Sequence, residues 1–162
     1  MQNYIDDFQI NFWNYTPVEK QGAKDVRLWK ELGLTSAMLG RGTFENPVAR
    51  VKIEEVLTEC ERLDMPAVLH DDCFDIKNYN KLGEEGYKQA VKKAVEFYER
   101  FSASQYALIY DEPRTETEWN TVYKASKILL SASKKIKPIT SLDHFGSSGK
   151  RKAHERLEEF TD

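Results

Sequence analysis

Cysteine is scarce in this sequence, and long apolar runs are missing. Two cysteines occur among 162 residues, and the spacing of Cys60 and Cys73 matches neither a disulfide framework nor a Cys-x-x-Cys motif. We therefore expect one buried thiol and one thiol in a loop. No apolar run approaches a membrane span and no basic start leads into an apolar segment, so we expect a soluble chain without a signal peptide. The location stays open, because a trimmed secreted or periplasmic protein would show the same pattern.

An excess of charge of one sign is also missing. The 24 basic and 27 acidic residues are interspersed and leave a formal net charge of −3. This balance provides no basic surface for nucleic acid, so we predict neither a nucleic-acid nor a membrane partner. With 40% hydrophobic residues, a chain of 162 residues can bury one core but not two. We therefore expect a single domain over residues 1–162.

The eight glycines do not form a phosphate-binding loop. No Gly-x-Gly-x-x-Gly pattern occurs, and the first apolar run is followed by Trp13-Asn14-Tyr15-Thr16. A nucleotide-binding doubly wound domain would carry a glycine-rich turn after its first strand. The sequence therefore predicts no nucleotide cofactor, and we expect no cofactor of another kind.

Five short apolar runs alternate with amphipathic helical segments at the spacing of β/α units. The runs are continuous rather than alternating, which is typical of strands covered on both faces in a parallel sheet. Thr16-Pro17 and Asn46-Pro47 each place a capping residue before proline at a predicted helix start. The segment 74–86 predicts a long polar loop before the third helix. The predicted strands, adjacent in the order 1-2-3-4-5, are residues 7–13, 34–39, 66–70, 105–110 and 138–142.

This organisation predicts an α/β fold and leaves two architectures open. One is a flavodoxin-like doubly wound sheet, and the other is the first five units of a (β/α)8 or TIM barrel, which needs about 250 residues. Because polar residues follow every predicted strand, we favour an incomplete barrel that stops before its last three units. Residues 147–162 would then form its fifth helix. The open edges of strands one and five would promote self-association.

Polar and aromatic side chains at the predicted strand ends form the candidate site. In a barrel the carboxyl ends of all strands meet at one mouth, where such enzymes keep their active sites. Residues from distant parts of the sequence would therefore come together there. The candidates are Asn11, Trp13, Asn14, Arg41, His70, Asp71, Asp72, Tyr110, Asp111, Glu112, Asp143 and His144.

The tripeptide Asp111-Glu112-Pro113 is the most informative of these strand ends. Two adjacent carboxylates stand where the apolar run 105–110 stops. Repulsion between like charges and an apolar surrounding both favour the protonated form of a carboxyl group, as a general acid requires. The alternative is that both residues cap the next helix. Thr115 and Glu118 already supply a capping box for that helix, which leaves the carboxylate pair for chemistry.

With this pair at the end of strand four, the chain resembles the (β/α)8 glycoside hydrolases. Their acid/base glutamate follows strand four after a polar residue, which is asparagine in the clan of cellulases and β-galactosidases. Here that residue is Asp111, and the Asp-Glu pair is similar to the β-N-acetylhexosaminidase type, including family 123. The resemblance implies a carbohydrate substrate, with Glu112 as general acid/base and Asp111 orienting a nucleophilic 2-acetamido group. Because successive strand residues point to opposite faces, both carboxylates serve one site only if the strand twists or bulges at its end.

The other strand-end residues fit sugar recognition. Trp13 would stack on a pyranose face, and Asn11 and Asn14 would donate hydrogen bonds to hydroxyl groups. Arg41 lies between two glycines that would let a ligand approach the backbone closely. The cluster His70-Asp71-Asp72 would position the acid.

Two other functions stay open at this point. A metal-dependent sugar isomerase or epimerase would use Glu112 with ligands from among His70, Asp72, Asp143 and His144, because imidazole and carboxylate groups suit zinc, manganese or iron. A non-catalytic domain would bind carbohydrate or a partner chain through the same mouth.

Overall fold

The structure, a computed structural model, describes residues 9–141 and alternates helices with parallel strands. A 3₁₀ turn at Val18–Lys20 precedes the first helix. The helices are α1 (Ala23–Glu31), α2 (Pro47–Arg62), α3 (Ile76–Tyr98) and α4 (Glu116–Ala132). The strands are β1 (Ala37–Met38), β2 (Ala67–Leu69), β3 (Ser104–Tyr110) and β4 (Lys137–Thr140). The predicted α/β class is confirmed.

The sheet has four parallel strands in the order β1-β2-β3-β4. These strands correspond to the second to fifth predicted strands, and their consecutive order is the predicted one. In the flavodoxin-like order 2-1-3-4-5, another strand would separate the counterparts of β1 and β2. Here these two strands pair directly, with Ala37 opposite Ala67 and Met38 opposite Val68.

The predicted first strand is wrong where it can be compared, because residues 9–13 carry no strand. The segment nevertheless runs along the outer edge of β1 in the same direction. The N–H groups of Thr35 and Ser36 both donate to the Ile10 carbonyl, at 3.0 and 3.2 Å, and Asn14 Nδ2 donates to the Met38 carbonyl at 2.9 Å. In these contacts two N–H groups share one carbonyl and a third donor is a side chain. A parallel strand needs evenly spaced hydrogen bonds between backbone groups instead, so the segment is not a strand.

The two edges of the four-stranded sheet differ in what borders them. The segment 9–14 lines the outer edge of β1, while no strand within residues 9–141 pairs with the outer edge of β4. Self-association through the outer edges of the segment 9–14 and of β4 stays a prediction, which sedimentation at high concentration would test. Asp143, His144 and the predicted fifth helix lie outside the described residues.

The helices pack on one face of the sheet. The larger buried cluster joins residues of all four helices to the strand side chains Ala37, Leu39, Ala67, Leu69, Ala107 and Ile109. The alternate side chains Met38, Val68 and Leu108 point to the other face, where Trp13, Tyr106 and Ile139 pack against them and no helix residue of the described chain takes part. A doubly wound sheet has helices on both faces, whereas a barrel wall has them outside only.

Both thiols are buried. Cys60 lies in α2, and Cys73 lies in the loop after β2, so the predicted loop thiol is in a loop but is not exposed. Burial raises the pKa of Cys60 to about 12 and raises that of Cys73 as well. Neither side chain is a reactive thiolate at neutral pH. Within residues 9–141, no helix combines the length and apolar character that crossing a bilayer requires.

The loop after β1 passes very close to the segment before α1. A Cβ atom on Gly40 would lie 1.7 Å from the Thr16 carbonyl oxygen, and one on Gly42 would lie 2.4 Å from Val18 Cγ1. The Gly40 N–H also donates to Gln21 Oε1 at 3.0 Å. The glycines beside Arg41 therefore make room for the chain's own backbone and side chains, which corrects the expectation that they admit a ligand.

We expect Gly40→Ala to lower the free energy of unfolding by about 3 kcal/mol, because a backbone carbonyl cannot move away as a flexible side chain can. Gly33→Ala is the matched control. Its Cβ would meet nothing within 4 Å, and only its φ of +84° opposes the substitution, at about 1 kcal/mol. Urea unfolding of both variants measures the difference. Equal losses would show that the close approach at Gly40 is not what requires glycine there.

Candidate active site at the carboxyl ends of the strands

A pocket of about 220 Å³ opens at the carboxyl ends of β2 and β3. The apolar floor includes Leu108 and Ile109 of β3. The polar and aromatic wall consists of five predicted site residues, Trp13, Arg41, His70, Tyr110 and Asp111, and of two that were not predicted, Asp75 and Lys77. Four separate stretches of the sequence thus meet at one place, which is the placement expected for a site at the mouth of a parallel barrel.

Trp13 and His70 form one wall of the pocket. Their rings meet edge to face, with centroids 5.8 Å apart and an interplanar angle of 61°. The buried Nδ1 atom of His70 has no hydrogen-bond partner in the described part of the chain. Burial, together with the nearby Arg41 cation, lowers the pKa of His70, so the imidazole is neutral at pH 7. This wall of the pocket is therefore uncharged and mostly apolar, because it consists of an indole and a neutral imidazole.

Arg41 is held by two carboxylates from the loop after β2. Its Nε donates to Asp72 Oδ1 at 2.7 Å, and one terminal nitrogen lies 3.6 Å from Asp75 Oδ2. The hydrogen bond to Asp72 raises the pKa of Arg41, which stays charged. Asp75 has a second role, because its Oδ1 accepts from the Lys77 N–H at 2.8 Å and caps α3. The guanidinium group therefore lies in the pocket wall half exposed and paired with two carboxylates.

Asp71 lies inside the protein and not in the pocket wall. Its side chain is almost fully buried, and both carboxylate oxygens accept hydrogen bonds. Tyr98 Oη donates at 2.6 Å and the Phe44 N–H at 2.8 Å to Oδ2, while the Cys73 N–H donates at 2.8 Å to Oδ1. Burial raises the pKa of Asp71, and these three donors oppose that shift. The residue joins the loops after β1 and β2 to α3.

The two predicted asparagines also lie away from the pocket wall. Asn14 is buried, donates to the Met38 carbonyl at 2.9 Å and accepts from the Thr16 N–H at 3.0 Å. Asn11 donates to Ser36 Oγ at 3.2 Å, near the start of β1. Both amides attach the segment 9–14 to β1. Asn14 is engaged with the chain itself through both Nδ2 and Oδ1, whereas the exposed Asn11 makes its contact through Nδ2.

The end of β3 is irregular, as a shared role for two adjacent carboxylates requires. The pairing of β3 with β4 shifts register between Leu108 and Tyr110, and Glu112 has a φ of 51°, in the left-handed region. A non-glycine residue in that region is uncommon and costs of order 1 kcal/mol or more. Such strain is often retained at functional sites.

Asp111 and Glu112 end in different surroundings. Asp111 lines the pocket, whereas the Glu112 carboxylate pairs with Arg114 at 2.9 Å and its side chain is 40% exposed. The expected apolar surrounding of Glu112 is therefore wrong, because Arg114 and solvent face it. The predicted capping box is confirmed: Glu118 accepts from the Thr115 N–H and Thr115 Oγ1 accepts from the Glu118 N–H. The carboxylate pair does not cap α4.

Ser141, which directly follows β4, was not predicted as a site residue. Its Oγ accepts from the Glu112 N–H at 2.9 Å and donates in a short hydrogen bond to Asp111 Oδ1. Thr140 Oγ1 donates to the Tyr110 carbonyl at 2.7 Å. Two hydroxyl groups from β4 and its end thus hold the end of β3. The only sequence signal was a pair of hydroxyl residues at a strand end.

Tyr110 closes the pocket on the side of α4. Its hydroxyl donates to Glu118 Oε1 at 3.2 Å, and Lys77 Nζ lies 6.0 Å from the centre of its ring. Burial, with the nearby Glu118 charge, raises the pKa of Tyr110. The ring is therefore a neutral wall element with one cation beside it.

Metal-binding residues do not cluster in the described part of the chain. Within residues 9–141, no three histidine, cysteine, aspartate or glutamate side chains come together in a way that could hold an ion. Asp143 and His144, two of the ligands that a metal-dependent enzyme would use, lie outside the described residues. The hypothesis of a metal-dependent isomerase or epimerase gains no support from His70, Asp72 and Glu112.

Comparison of the chain with protein-family models, with curated proteins and with solved structures found no match. The fold and the pocket therefore define the class of the chain by themselves: it is an α/β protein whose parallel sheet carries a polar pocket at the carboxyl ends of its strands.

Proposed function

We propose that the four strands are consecutive units of a glycoside hydrolase-like barrel and that the pocket binds a sugar ring at the bond to be cleaved. The observation that supports this most is the Asp111-Glu112 pair at the end of β3, with Asp111 in the wall of a pocket that also contains Trp13. Two further observations on residues 9–141 support it: the helices there pack on one face of the sheet, and the strand order is consecutive.

The pocket wall suits a pyranose. Trp13 offers an apolar ring face, and a pyranose has an apolar face of C–H groups that packs on an indole. Arg41, Lys77 and Asp75 surround it with donors and acceptors for hydroxyl groups. Because Glu112 directly follows Asp111, lies outside the pocket wall and is 40% exposed beside Arg114, we assign it to the leaving-group oxygen, which would project out of the pocket towards solvent.

The proposed reaction uses the sugar's own 2-acetamido group. Protonated Glu112 donates its proton to the glycosidic oxygen as the bond between that oxygen and the anomeric carbon breaks. The acetamido oxygen forms a new bond to the anomeric carbon, and Asp111 accepts a hydrogen bond from the amide N–H and so orients the group. Water then attacks the anomeric carbon, the bond between that carbon and the acetamido oxygen breaks, and one proton of the water passes to the Glu112 carboxylate, which is protonated again.

One observation favours a second candidate function, a sugar-binding domain without hydrolysis. The Glu112 carboxylate is paired with Arg114, outside the pocket wall, and must leave this partner to act as an acid. Binding and hydrolysis are separated by measuring both on one sample: calorimetry with hexoses and N-acetylhexosamines, and turnover of their nitrophenyl glycosides. Binding without turnover selects the second function. Neither binding nor turnover across the series rejects both.

We expect Trp13→Ala to weaken sugar binding about tenfold, which corresponds to about 1.4 kcal/mol of lost contact. Phe12→Ala is the matched control. Phe12 is an exposed aromatic residue of the same segment that packs on Trp29, at 5.5 Å between ring centroids, and does not line the pocket. Calorimetric titration of both variants is the measurement. A larger effect at Phe12 than at Trp13 would place the sugar elsewhere.

A further inference from the structure

Ser141 is the residue through which β4 reaches the candidate catalytic carboxylates. Its hydroxyl oxygen accepts from the Glu112 N–H, so its own proton is directed to Asp111 Oδ1. One side chain thus contacts the backbone of one carboxylate residue and the side chain of the other. No other hydrogen bond to the Asp111 carboxylate is found within residues 9–141, so Oδ2 keeps its acceptor capacity for a ligand.

The turn at Glu112 needs such a contact. A left-handed backbone conformation at a non-glycine residue persists only where its surroundings hold it. Ser141 supplies the partner of the Glu112 N–H, and Thr140 supplies a partner of the preceding Tyr110 carbonyl. Both hydroxyls come from the neighbouring strand and its end, so the geometry of the carboxylate pair depends on the β3–β4 pairing.

We propose that Ser141 is a positioning residue that fixes the direction of the Asp111 carboxylate and the turn at Glu112. This inference rests on the proposed function. In that reaction Asp111 must present an oxygen to the acetamido N–H while Glu112 faces the glycosidic oxygen. The Ser141 hydroxyl engages Oδ1 and leaves Oδ2 for the sugar, so the carboxylate is oriented before the substrate binds.

The test compares Ser141→Ala with Ser141→Thr in the full chain, with nitrophenyl 2-acetamido glycosides as substrates. We expect Ser141→Ala to lower kcat about 10²-fold, as a misplaced reacting group does, with KM changed less than about threefold. Ser141→Thr keeps the hydroxyl group and should restore most of kcat. Ser131→Ala is the control, because its hydroxyl donates to the Lys127 carbonyl within α4, away from the site.

A double-substitution cycle distinguishes positioning from a structural role. If Ser141 acts through Asp111, Ser141→Ala adds little to the loss already caused by Asp111→Asn. Two results would overturn the inference and leave the proposed function intact. One is a loss of kcat in the double variant equal to the product of the two single losses. The other is an unchanged kcat in Ser141→Ala together with a lower melting temperature. A full-length protein that hydrolyses none of these glycosides would reject the proposed hydrolysis itself, and the positioning role of Ser141 with it.

Discussion

Glu112→Gln is expected to lower the turnover of glycosides with poor leaving groups by about 10²–10⁴-fold, the usual contribution of a general acid. Glutamine keeps the size and polarity of the side chain but cannot donate the proton that the leaving oxygen needs. Sugar binding should stay nearly unchanged, because the Glu112 side chain pairs with Arg114 and is not part of the pocket wall. Steady-state kinetics on alkyl and nitrophenyl glycosides is the measurement, and nitrophenyl substrates should be affected least.

Asp111→Asn is the companion variant. If the acetamido group is the nucleophile, this substitution lowers turnover on both kinds of leaving group, since the orientation of the group is lost whatever leaves. Equal losses for Glu112→Gln on alkyl and nitrophenyl glycosides would remove Glu112 from the acid role. Equal rates on 2-acetamido and 2-hydroxyl sugars would reject substrate assistance.

Asp71→Asn is expected to lower the free energy of unfolding by about 3 kcal/mol, because it leaves buried donors without an acceptor. Tyr98 Oη and the N–H groups of Phe44 and Cys73 all donate to this carboxylate. An amide offers one acceptor oxygen, and its NH₂ group would face a donor. Asp72→Asn is the control: the neighbouring side chain is 49% exposed and pairs with Arg41 at the surface, so we expect a loss below about 1 kcal/mol.

The pH dependence of this variant follows from the direction of the Asp71 shift. Burial raises the pKa of Asp71 above 3.8, so the folded chain binds this proton more tightly than the unfolded chain. Wild-type stability therefore falls as the pH rises from 3.8 through the raised pKa, and Asp71→Asn lacks this contribution. The difference in unfolding free energy between the two proteins should shrink over that range. A difference that grows with pH would contradict the assignment.

The elements that could be predicted from the sequence are those that local physics determines. Asn46 accepts from the Val48 and Ala49 N–H groups at the start of α2, and Thr115 and Glu118 form the predicted capping box of α4. Continuous apolar runs became the buried strands β2 and β3, in the predicted consecutive order. Caps and apolar runs act within a few residues, so the sequence alone carries their signal.

Elements that depend on distant partners were predicted poorly. The sequence of residues 9–13 resembles that of a strand. The segment is attached to β1, however, by two N–H groups that share one carbonyl and by side-chain hydrogen bonds. The segment 74–86, predicted as a loop, is mostly helix, because Asp75 caps α3 at Ile76. Gly83, with a φ of 71°, interrupts that helix. A glycine within a polar stretch is a pattern typical of loops, which is why the sequence predicted one here.

The candidate site shows the same division. The sequence alone does not distinguish the adjacent residues Asp71 and Asp72. In the structure Asp71 is buried against Tyr98, whereas Asp72 pairs with Arg41 at the surface. Ser141 lies at the site because β4 pairs with β3, and Lys77 lies there because α3 begins beside the pocket. No residue pattern in the sequence marks either of them. Strand ends indicate where a site lies, but packing decides which side chains face it.

The most direct test of the sugar site is a nuclear magnetic resonance titration that follows the indole N–H signals of Trp13, Trp29 and Trp119. Methyl glycosides of hexoses and of N-acetylhexosamines serve as probes. Trp13 lines the pocket, whereas Trp29 and Trp119 are each 7% exposed and do not line it. We predict that at least one sugar shifts the Trp13 signal in a saturable way and leaves the other two in place. A Trp13 signal that no sugar in the series moves would contradict the assignment of the pocket.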